Sequence, residues 1–171
     1  MVKEFNRNDL FLKDPLIQKM VNLLTRDGKK SKAEKIFRKL FLSLEKGFPG
    51  QGLEIFYLAV FNTQALVGNQ IKPRGKKYRK TLSGKESFVP YFFYQQRSQT
   101  LAIRSLVQTG KAGLAFKPLY QNLSHEILQA SLKQGDVIAG KYSLYTQASI
   151  NRRYYRYRWT RILPKNSDHL F

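Results

Sequence analysis

The densest group of side chains able to bind an anion lies between Ile71 and Phe93. Seven lysines or arginines fall between Lys72 and Lys85, with no acidic residue among them. Cations at this density neutralise a phosphate backbone and release its counterions. The predicted phosphate ligands of this stretch are Arg74, Lys76, Lys77, Arg79, Lys80 and Lys85, and Tyr78 is a candidate for stacking or packing. The chemistry predicted here is therefore the binding of a polyanion.

A second group combines arginines with aromatic rings near the end of the chain. Between Asn151 and Arg161, five arginines are interleaved with four aromatic residues, again without an acid. Arginine binds phosphate through a planar fork of donors, and tyrosine or tryptophan can stack on an unpaired base. The candidate ligands are Arg152, Arg153, Arg156 and Arg158, and the candidates for stacking or packing are Tyr154, Tyr157 and Trp159. The pattern leaves two arrangements open, with the rings either stacked on RNA or packed inward.

Smaller groups of cations are predicted at a helix end, along one helix and in an arm. Asp27 and Gly28 precede two lysines at the start of a predicted helix, whose backbone N–H groups could also receive a phosphate. The candidate ligands in these groups are Lys29, Lys30 and Lys32 at the corner, Arg97 and Arg104 on a later helix, and Lys3 and Arg7 in the arm.

The chain lacks the residues on which most catalytic and metal sites depend. It has no cysteine and only two histidines, His125 and His169. This composition excludes disulfides, iron–sulfur clusters and a cysteine nucleophile. No glycine-rich phosphate loop and no paired carboxylates stand out. We therefore expect no catalytic residue, no metal and no cofactor, and we interpret both histidines as surface or capping groups.

The overall charge indicates a nucleic-acid partner. The 171 residues carry 31 basic and 11 acidic side chains, a formal net charge of +20. Self-repulsion of this size disfavours a compact state, and a polyanion that neutralises it supplies both affinity and stability. An anionic membrane is the second class of partner. No apolar run approaches the length of a membrane span, so we expect no membrane-spanning segment and no membrane partner.

The basic stretch is predicted to form a two-stranded β-ribbon that carries its cations outward. One basic strand runs to about Thr81, a turn follows from Leu82 to Lys85, and an aromatic strand returns through Val89. Pro90 has no N–H to donate, so the returning strand must lie at a sheet edge or end there. A disordered basic loop is the alternative that composition leaves open.

Helical periodicity accounts for most of the remaining chain. Asp14 can cap a first helix with Pro15 at its first position, and Ser31 with Glu34 forms a capping box for a second. The predicted helices begin near Pro15, Ser31, Leu53, Ser98, Pro118 and Tyr142 and end near Thr25, Gly47, Val67, Gly110, Gly135 and Tyr155. In the third of these helices the predicted buried side chains are Leu53, Phe56, Val60, Phe61 and Ala65, with Gly68 as its stop.

The predicted fold class is mainly α, a bundle of about six helices with one protruding basic β-hairpin. A basic arm occupies residues 1–13, a single helical domain spans residues 14–159 with the hairpin at about 71–94, and an extension covers 160–171. At 171 residues, one domain is the expected number, and the 42% apolar content supports a real core. His125 and Glu126, within the fifth helix, look like ordinary exposed positions.

Three separated motifs resemble the small-subunit ribosomal protein seven family. The segments 14–16, 20–24, 27–31 and 33–36 read DPL, MVNLL, DGKKS and AEKI, which is similar to the amino-terminal signature of that family. The resemblance continues with Val89-Pro90 and with QTLAIR at 99–104, and it closes with Asn151 and YRW at 157–159. It covers about Asp14 to Trp159 with the motifs in the family's order.

The resemblance implies a function as well as a fold. Members of this family are helical proteins with a protruding β-hairpin that bind the 3′ major domain of small-subunit rRNA and help to assemble the subunit head. They face the exit-site tRNA and the emerging mRNA, and they neighbour other head and platform proteins. The family's rRNA contacts correspond here to the cationic groups named above, from the arm to the arginines around residues 157–159. Specificity is expected to come from RNA shape, because most contacts go to phosphate and sugar.

Some positions depart from the family pattern. Fewer cations surround the fourth helix, where Tyr94 and Ser98 stand, and a tryptophan is typical where this chain has Ser105. These rRNA contacts are therefore expected to be weaker, replaced by stacking or taken over by other proteins. Residues 160–171 extend beyond the usual end and are a candidate for docking on a neighbouring protein.

The residues of one motif and the amino-acid composition indicate a cellular compartment for the protein. The segment 99–104 resembles the mitochondrial branch of the family, and a chain rich in Lys, Tyr, Phe and Asn suits a gene carried in that organelle. The expectation is a mitochondrial ribosome, with a plastid or the bacterial cytoplasm as alternatives. A free-standing RNA chaperone or regulator is the alternative function, because the same basic surfaces would serve it.

Overall fold

The computed structural model describes residues 14–71, 88–114, 116–153 and 155. Within these ranges the elements are α1 (Pro15–Leu24), α2 (Lys30–Gly47), α3 (Gly52–Thr63), β1 (Val67–Ile71), β2 (Phe88–Phe92), α4 (Gln95–Ala112), α5 (Leu119–Ser131) and α6 (Asp136–Ile150). The strands form an antiparallel hairpin. The prediction of a mainly α fold with about six helices and one β-hairpin is therefore confirmed.

The chain divides into two compact units. Among the described residues, the first is formed by 14–64 together with 95–114 and 116–139, and the second by 65–71 and 88–94 together with 140–153 and 155. The single domain over 14–159, the arm at 1–13 and the extension at 160–171 stay predictions, and the arm and the extension lie outside the described residues.

The first helix begins as the sequence predicts. The Asp14 carboxylate accepts hydrogen bonds from the backbone N–H groups of Leu16 at 2.7 Å and Ile17 at 3.2 Å. Pro15 occupies the first turn, where its missing N–H costs nothing because that group would have no partner inside the helix. One face of α1 is buried through Ile17, Met20, Val21 and Leu24, so the helix packs against the bundle along that face.

The second helix begins before the predicted capping box. Its N-cap is Lys29, without a side-chain cap hydrogen bond, and Ser31 lies inside the first turn. Asp27 and Gly28 take positive φ values of 53° and 71°, and the Lys29 N–H donates to the carbonyl oxygen of Arg26 at 3.0 Å. Because this left-handed turn redirects the chain so tightly, the helix starts at once and Ser31 is too late to cap it.

The third helix is shorter than predicted. It ends at Thr63, and Val67 and Gly68 belong to β1 instead. The role assigned to Gly68 as a helix stop is therefore wrong. A Cβ at this glycine would clash with the ring of Phe93, so the position needs a glycine because an aromatic side chain lies against its backbone.

The buried face of α3 also differs from the prediction. Phe61 is 71% exposed, and Leu53 is half-buried. The buried residues of α3 are Gly52, Ile55, Phe56, Ala59, Val60 and Thr63. The sequence of this helix is apolar on nearly every side, so its periodicity does not single out one face.

Two further helix ends depart from expectation. Ser98, the predicted cap of the fourth helix, lies inside α4 with 1% of its surface exposed, because the helix begins at Gln95. Gly110 does not end α4, and a Cβ there would overlap the side chain of Leu123. This glycine therefore allows α4 and α5 to approach closely. Pro118 is the N-cap of α5, one residue before the helix begins, and α5 ends at Ser131 rather than near the predicted Gly135.

The core of the first unit draws on α1 to α5 and the first turn of α6. Phe37 and Phe56 are almost completely buried, with their ring centroids 6.1 Å apart and their planes at 87°. The Asn62 side chain donates to the carbonyl oxygens of Ala130 at 3.2 Å and Ser131 at 2.8 Å. These bonds give further donors to the last carbonyl groups of α5, of which that of Ala130 also accepts from the Lys133 N–H at 3.1 Å.

The hairpin of the second unit starts earlier than predicted. Val67 pairs with Phe92 and Ile71 with Phe88, and Pro90 lies opposite Asn69 within β2 rather than ending it. In a two-stranded sheet each strand has a free edge, so the missing N–H of Pro90 is tolerated as predicted. The predicted basic strand to Thr81 and the turn at 82–85 lie outside the described residues.

The last helix begins six residues before the predicted Tyr142. It runs from Asp136 to Ile150, and the buried side chains of Val137 and Ile138 lie in its first turn. Burial of these two residues outweighs the low helix propensity of Gly140. After Ile150 the chain turns through Arg152 and Arg153.

Candidate nucleic-acid interface

The structure places part of the predicted phosphate-binding set on helix surfaces. The candidates that fall on described residues are Lys29, Lys30, Lys32, Arg97, Arg104, Arg152 and Arg153, and all of them are exposed. The candidates outside the described residues are Lys3, Arg7, Arg74, Lys76, Lys77, Tyr78, Arg79, Lys80, Lys85, Tyr154, Arg156, Tyr157, Arg158 and Trp159. The predictions made for this second set remain predictions.

The corner before α2 presents lysine side chains more than backbone donors. The N–H groups of Lys30 and Lys32 donate to the carbonyl oxygens of Gly28 at 2.9 Å and Lys29 at 3.1 Å. The Asp27 carboxylate lies 4.0 Å from the Lys29 Nζ, and both side chains are exposed. The backbone N–H groups that the sequence suggested for a phosphate are thus partly occupied by carbonyl oxygens. The Lys29 ammonium group has the Asp27 carboxylate nearby, which would compete with a phosphate for it.

A row of lysines along α2 escaped the sequence reasoning. Lys32, Lys35, Lys39 and Lys46 are all exposed, and their spacing places them on one side of the helix. The opposite side is buried, through side chains such as Phe37 and Leu40. These lysines repeat at helical spacing out of phase with the apolar stripe, but they are not consecutive, so no dense run of cations marks them in the sequence.

One lysine of this row is positioned by an aromatic ring. The Nζ of Lys39 lies 6.0 Å from the ring centroid of Tyr120 on α5, at the outer limit of a cation–π contact. The contact orients the ammonium group and leaves it exposed. We call Lys32, Lys35, Lys39 and Lys46 the α2 lysine row.

A second row follows α4. Arg97, Arg104 and Lys111 are exposed and separated by seven residues, which is two helical turns or about 10 Å along the axis. The helix contains no Asp or Glu in its whole length. Lys111 was missed because it lies beyond the glycine taken as the helix end. The structure thus brings Arg97, Arg104 and Lys111 onto one face, which we call the α4 basic row.

The second unit contributes its own cations. Arg152 and Arg153 lie in the turn after α6, and Lys141 lies on the helix with its Nζ 5.8 Å from the ring centroid of Tyr145. The described residues of this unit contain no Asp or Glu. This unit therefore also attracts anions, independently of the two rows on the first unit.

Two ionisable groups of the first unit have shifted pKa values without forming a site. Burial raises the pKa of the Tyr57 hydroxyl, and the hydrogen bond that it donates to Asp14 at 2.9 Å raises it further. Burial also raises the pKa of the Glu126 carboxyl, as does the nearby Asp136 carboxylate, while His125 lowers it. The expectation that Glu126 is an ordinary exposed position is wrong, because its side chain is half-buried.

Two kinds of feature are absent from the part of the chain that the structure describes: a metal-binding cluster and a membrane-spanning helix. In that part of the chain, no cluster of three or more His, Cys, Asp or Glu side chains is arranged to hold a metal. None of the described helices combines the length and the apolar character needed to cross a bilayer.

Comparison with known proteins identifies the family. Residues 3–152 match the family described as Ribosomal protein S7p/S5e. Proteins named small ribosomal subunit protein uS7 are similar along most of their length. The relative from Fervidobacterium nodosum is 31% identical, with 84% of this chain and 87% of the relative covered. The relative from Metamycoplasma arthritidis is 30% identical, with 84% and 86% covered. The relative from Thermus thermophilus is 29% identical, with 88% and 91% covered.

These matches agree with the family resemblance seen in the sequence motifs. The matched proteins are bacterial, and the mitochondrial branch is not shown by them. Ribosomal proteins of this family are structural, which confirms the prediction that the chain is not an enzyme. The motifs, the helical fold with its hairpin and the match over residues 3–152 lead to one conclusion: the chain belongs to the ribosomal protein S7p/S5e family.

Proposed function

We propose that this chain is a structural constituent of the small ribosomal subunit that binds the 3′ major domain of small-subunit rRNA. The observation that carries the proposal is the pair of basic rows on α2 and α4, in a chain that belongs to a ribosomal protein family. Both rows lie on helices whose opposite faces are buried. The cations are therefore held on rigid elements, so the backbone that carries them loses little conformational entropy when RNA binds.

The mechanism of binding is electrostatic and geometric. Lysine and arginine side chains contact phosphate oxygens and release counterions, and this supplies most of the affinity. Because the helices fix the spacing of the cations, an RNA fold that presents phosphates at matching positions is preferred over one that does not. The chain thereby helps to assemble the subunit head, since it stabilises the folded form of the RNA that it binds.

The finer placement in the ribosome extends this proposal. The hairpin segment at 72–87 carries the densest cations and is proposed to reach toward the exit-site tRNA and the mRNA. Neighbouring head and platform proteins are proposed partners, and residues 160–171 are the proposed docking segment. Deletion of 160–171 tests the last point, because unchanged incorporation into subunits would contradict it.

The compartment is a separate proposal. Similarity to bacterial relatives agrees with the bacterial alternative. The segment 99–104 and the Lys-, Tyr-, Phe- and Asn-rich composition support a mitochondrial ribosome. Fractionation of source cells, with the protein followed by mass spectrometry, distinguishes these compartments.

Sedimentation tests the main proposal. A lysate is separated on a sucrose gradient at low and high salt, and this protein is located by mass spectrometry. Co-migration with the small subunit that survives the high-salt wash is expected. If the protein stays at the top of the gradient at both salt concentrations, a free RNA chaperone or regulator becomes the better description.

A binding assay tests the assigned surface. A transcript of the 3′ major domain is titrated with the purified protein over a range of salt concentrations. The affinity is expected to fall linearly on a double logarithmic plot, with a slope set by the number of phosphate contacts. An affinity that is insensitive to salt would contradict an interface built from the α2 lysine row and the α4 basic row.

A further inference from the structure

A largely apolar pocket of about 590 Å³ lies within the second unit. Its lining residues come from the hairpin and from the end of α6 and the turn after it: Leu66, Val67, Pro90, Tyr91, Phe92, Tyr145, Ala148, Ser149, Arg152 and Tyr155. The volume falls in the range of ordinary small-ligand pockets, which bury most of a ligand of that size. The family assignment leaves this cavity without a role.

The helical wall of the pocket follows one face of α6. Tyr145 lies three and four residues before Ala148 and Ser149, so these three side chains of α6 are neighbours, and Arg152 lines the pocket from the turn after the helix. The small side chains of Ala148 and Ser149 at the middle of this face leave the space that forms the cavity. Arg152 is exposed.

Hydrogen bonds fix the two walls relative to each other. The backbone N–H of Leu66 donates to the Tyr145 hydroxyl at 3.0 Å. The Asn69 side chain donates to the carbonyl oxygen of Leu144 at 3.2 Å. Because these bonds join the hairpin to α6 near the pocket, the pocket is formed before a ligand binds.

Two aromatic rings stand at the pocket with open faces. The centroids of Phe92 and Tyr155 are 5.9 Å apart with their planes at 71°, an edge-to-face pair. Phe92 is 56% exposed and Tyr155 is 38% exposed. An edge-to-face pair leaves ring surface available, and a planar ligand can stack on it.

Charge identifies the class of ligand. The described residues of this unit include Lys141, Arg152 and Arg153 but no acid, so the surroundings favour an anion. An apolar cavity with exposed rings and an arginine at its end suits a planar group linked to phosphate. We propose that this pocket, which we call the base pocket, binds an unpaired nucleobase of RNA, stacked on Tyr155 or Phe92, with its phosphate on Arg152.

The inference rests on the proposed RNA-binding function and adds a site of a different kind. The basic rows on α2 and α4 contact the RNA backbone, whereas the base pocket contacts a base. A base must be extruded from a helix or lie in a loop to enter it, so the pocket directs the second unit to single-stranded RNA.

A pair of probes isolates the base from its phosphates. The full-length protein is titrated with a short oligoadenylate and with a strand of the same length that carries abasic residues. The wild-type protein is expected to bind the oligoadenylate about tenfold more tightly, since each stacked base contributes affinity that the abasic strand lacks. Tyr155→Ala is expected to remove most of this preference, and Tyr155→Phe to retain it.

A filling variant and a matched control separate the pocket from folding effects. Ser149→Leu places bulk in the pocket without removing a ring, and it is expected to abolish the base preference while the abasic strand binds as before. Tyr142→Ala removes an exposed tyrosine of α6 that does not line the pocket, and it is expected to keep the full preference. Cross-linking of the wild-type protein by ultraviolet light, with the adduct mapped to Tyr155 or Tyr91, gives a readout that needs no variant.

The outcomes distinguish the two proposals. If both strands bind equally and the base pocket variants bind like the wild type, the base pocket proposal fails and the phosphate interface stands. If neither strand nor the 3′ major domain transcript binds, the proposed function fails too. If the cross-links of Tyr155 in intact subunits go to a protein, or if a base is admitted only after deletion of 160–171, another occupant fills the pocket and the proposal is overturned.

Discussion

The two units of this protein are stabilised in different ways. The first has a large apolar core that includes Phe37, Phe56 and Ile127, all with almost no exposed surface. In the described part of the second unit, the side chains of Val89 and Pro90 are the ones that are buried. Its hairpin and α6 are joined instead by side-chain hydrogen bonds of Asn69 and Tyr145. A region with few buried apolar contacts opens locally more easily.

The difference in buried core between the two units bears on which surface features each unit presents. In the first unit a core holds the helices, and their outer faces carry the α2 lysine row as well as exposed rings such as Phe61. In the described part of the second unit the buried core is small and a pocket is lined by exposed rings. Under the proposed function, RNA bound at this pocket would add to the order of the region. The contrast makes four predictions, which run from the largest expected effect to the smallest.

The largest effect is expected in the core of the first unit. Phe37→Ala leaves a cavity beside Phe56 and should lower the free energy of unfolding by about 3–5 kcal/mol. Phe61→Ala is the control, because Phe61 is 71% exposed, and it should change that free energy by less than about 0.5 kcal/mol. Urea denaturation measures both. Similar losses from the two variants would contradict the observed face of α3 and restore the predicted one.

The next effect concerns RNA affinity without loss of fold. Lys35→Gln combined with Lys39→Gln removes two charges from the α2 lysine row. The affinity for the 3′ major domain transcript should fall about tenfold near 0.1 M salt, and the salt slope should decrease by about two. Lys117→Gln with Lys133→Gln removes the same charge from scattered exposed positions. Equal losses from the two pairs would show that net charge, rather than the row, sets the affinity.

A smaller and local effect is expected in the second unit. Asn69→Ala removes the hydrogen bond to the carbonyl oxygen of Leu144, which is worth about 1 kcal/mol. Hydrogen exchange should quicken in α6 and the hairpin while α5 keeps its protection. The matched control is Gln70→Ala, at an exposed position of the same strand. A uniform loss of protection across both units would contradict the view that they open separately.

The smallest effect concerns a half-buried carboxyl of the first unit. The pKa of Glu126 in the folded protein lies above its ordinary value of 4.5. Ionisation therefore costs more in the folded state, and the stability that this group contributes is present at low pH and lost as the pH rises through the folded pKa. Glu126→Gln should raise Tm slightly at neutral pH and have no such benefit below 4.5.

The two causes that raise the pKa of Glu126, burial and the Asp136 carboxylate, can be tested separately. In an Asp136→Asn background the gain from Glu126→Gln should shrink but persist, because burial is the main cause and the Asp136 carboxylate the lesser one. Thermal melts of the single and double variants over the acid to neutral range provide the comparison. A gain that is constant with pH would mean that the carboxyl does not titrate in this range.

The sequence predicted those features that depend on local chemistry. The Asp14 cap with Pro15 behind it was predictable, because a carboxylate next to free N–H groups and a proline in the first turn are favourable in any helix. The helix count followed from periodicity, and the β-hairpin was predicted from a turn signal between a basic run and an aromatic run. The family followed from motifs whose residues lie far apart, and the comparison over residues 3–152 agrees.

Errors arose where a contact between distant residues decided the outcome. Ser98 has the chemistry of a cap, yet α4 begins earlier and buries it. Gly68 and Gly110 resemble helix stops in sequence, but the structure uses them as points of close approach, to Phe93 and Leu123. Propensity treats a glycine as a break, while packing selects it for its missing side chain.

The candidate interface also has some features that the sequence predicted and others that only the structure showed. Composition and charge predicted a polyanion as the partner, since counterion release follows from the number of phosphates that the cations neutralise. Which lysines share a face depended on helix phase and on the position of the core, so the α2 lysine row needed the structure. The base pocket needed it entirely, because Tyr145 and Pro90 lie far apart in sequence and only the docking of α6 on the hairpin makes them two walls of one cavity.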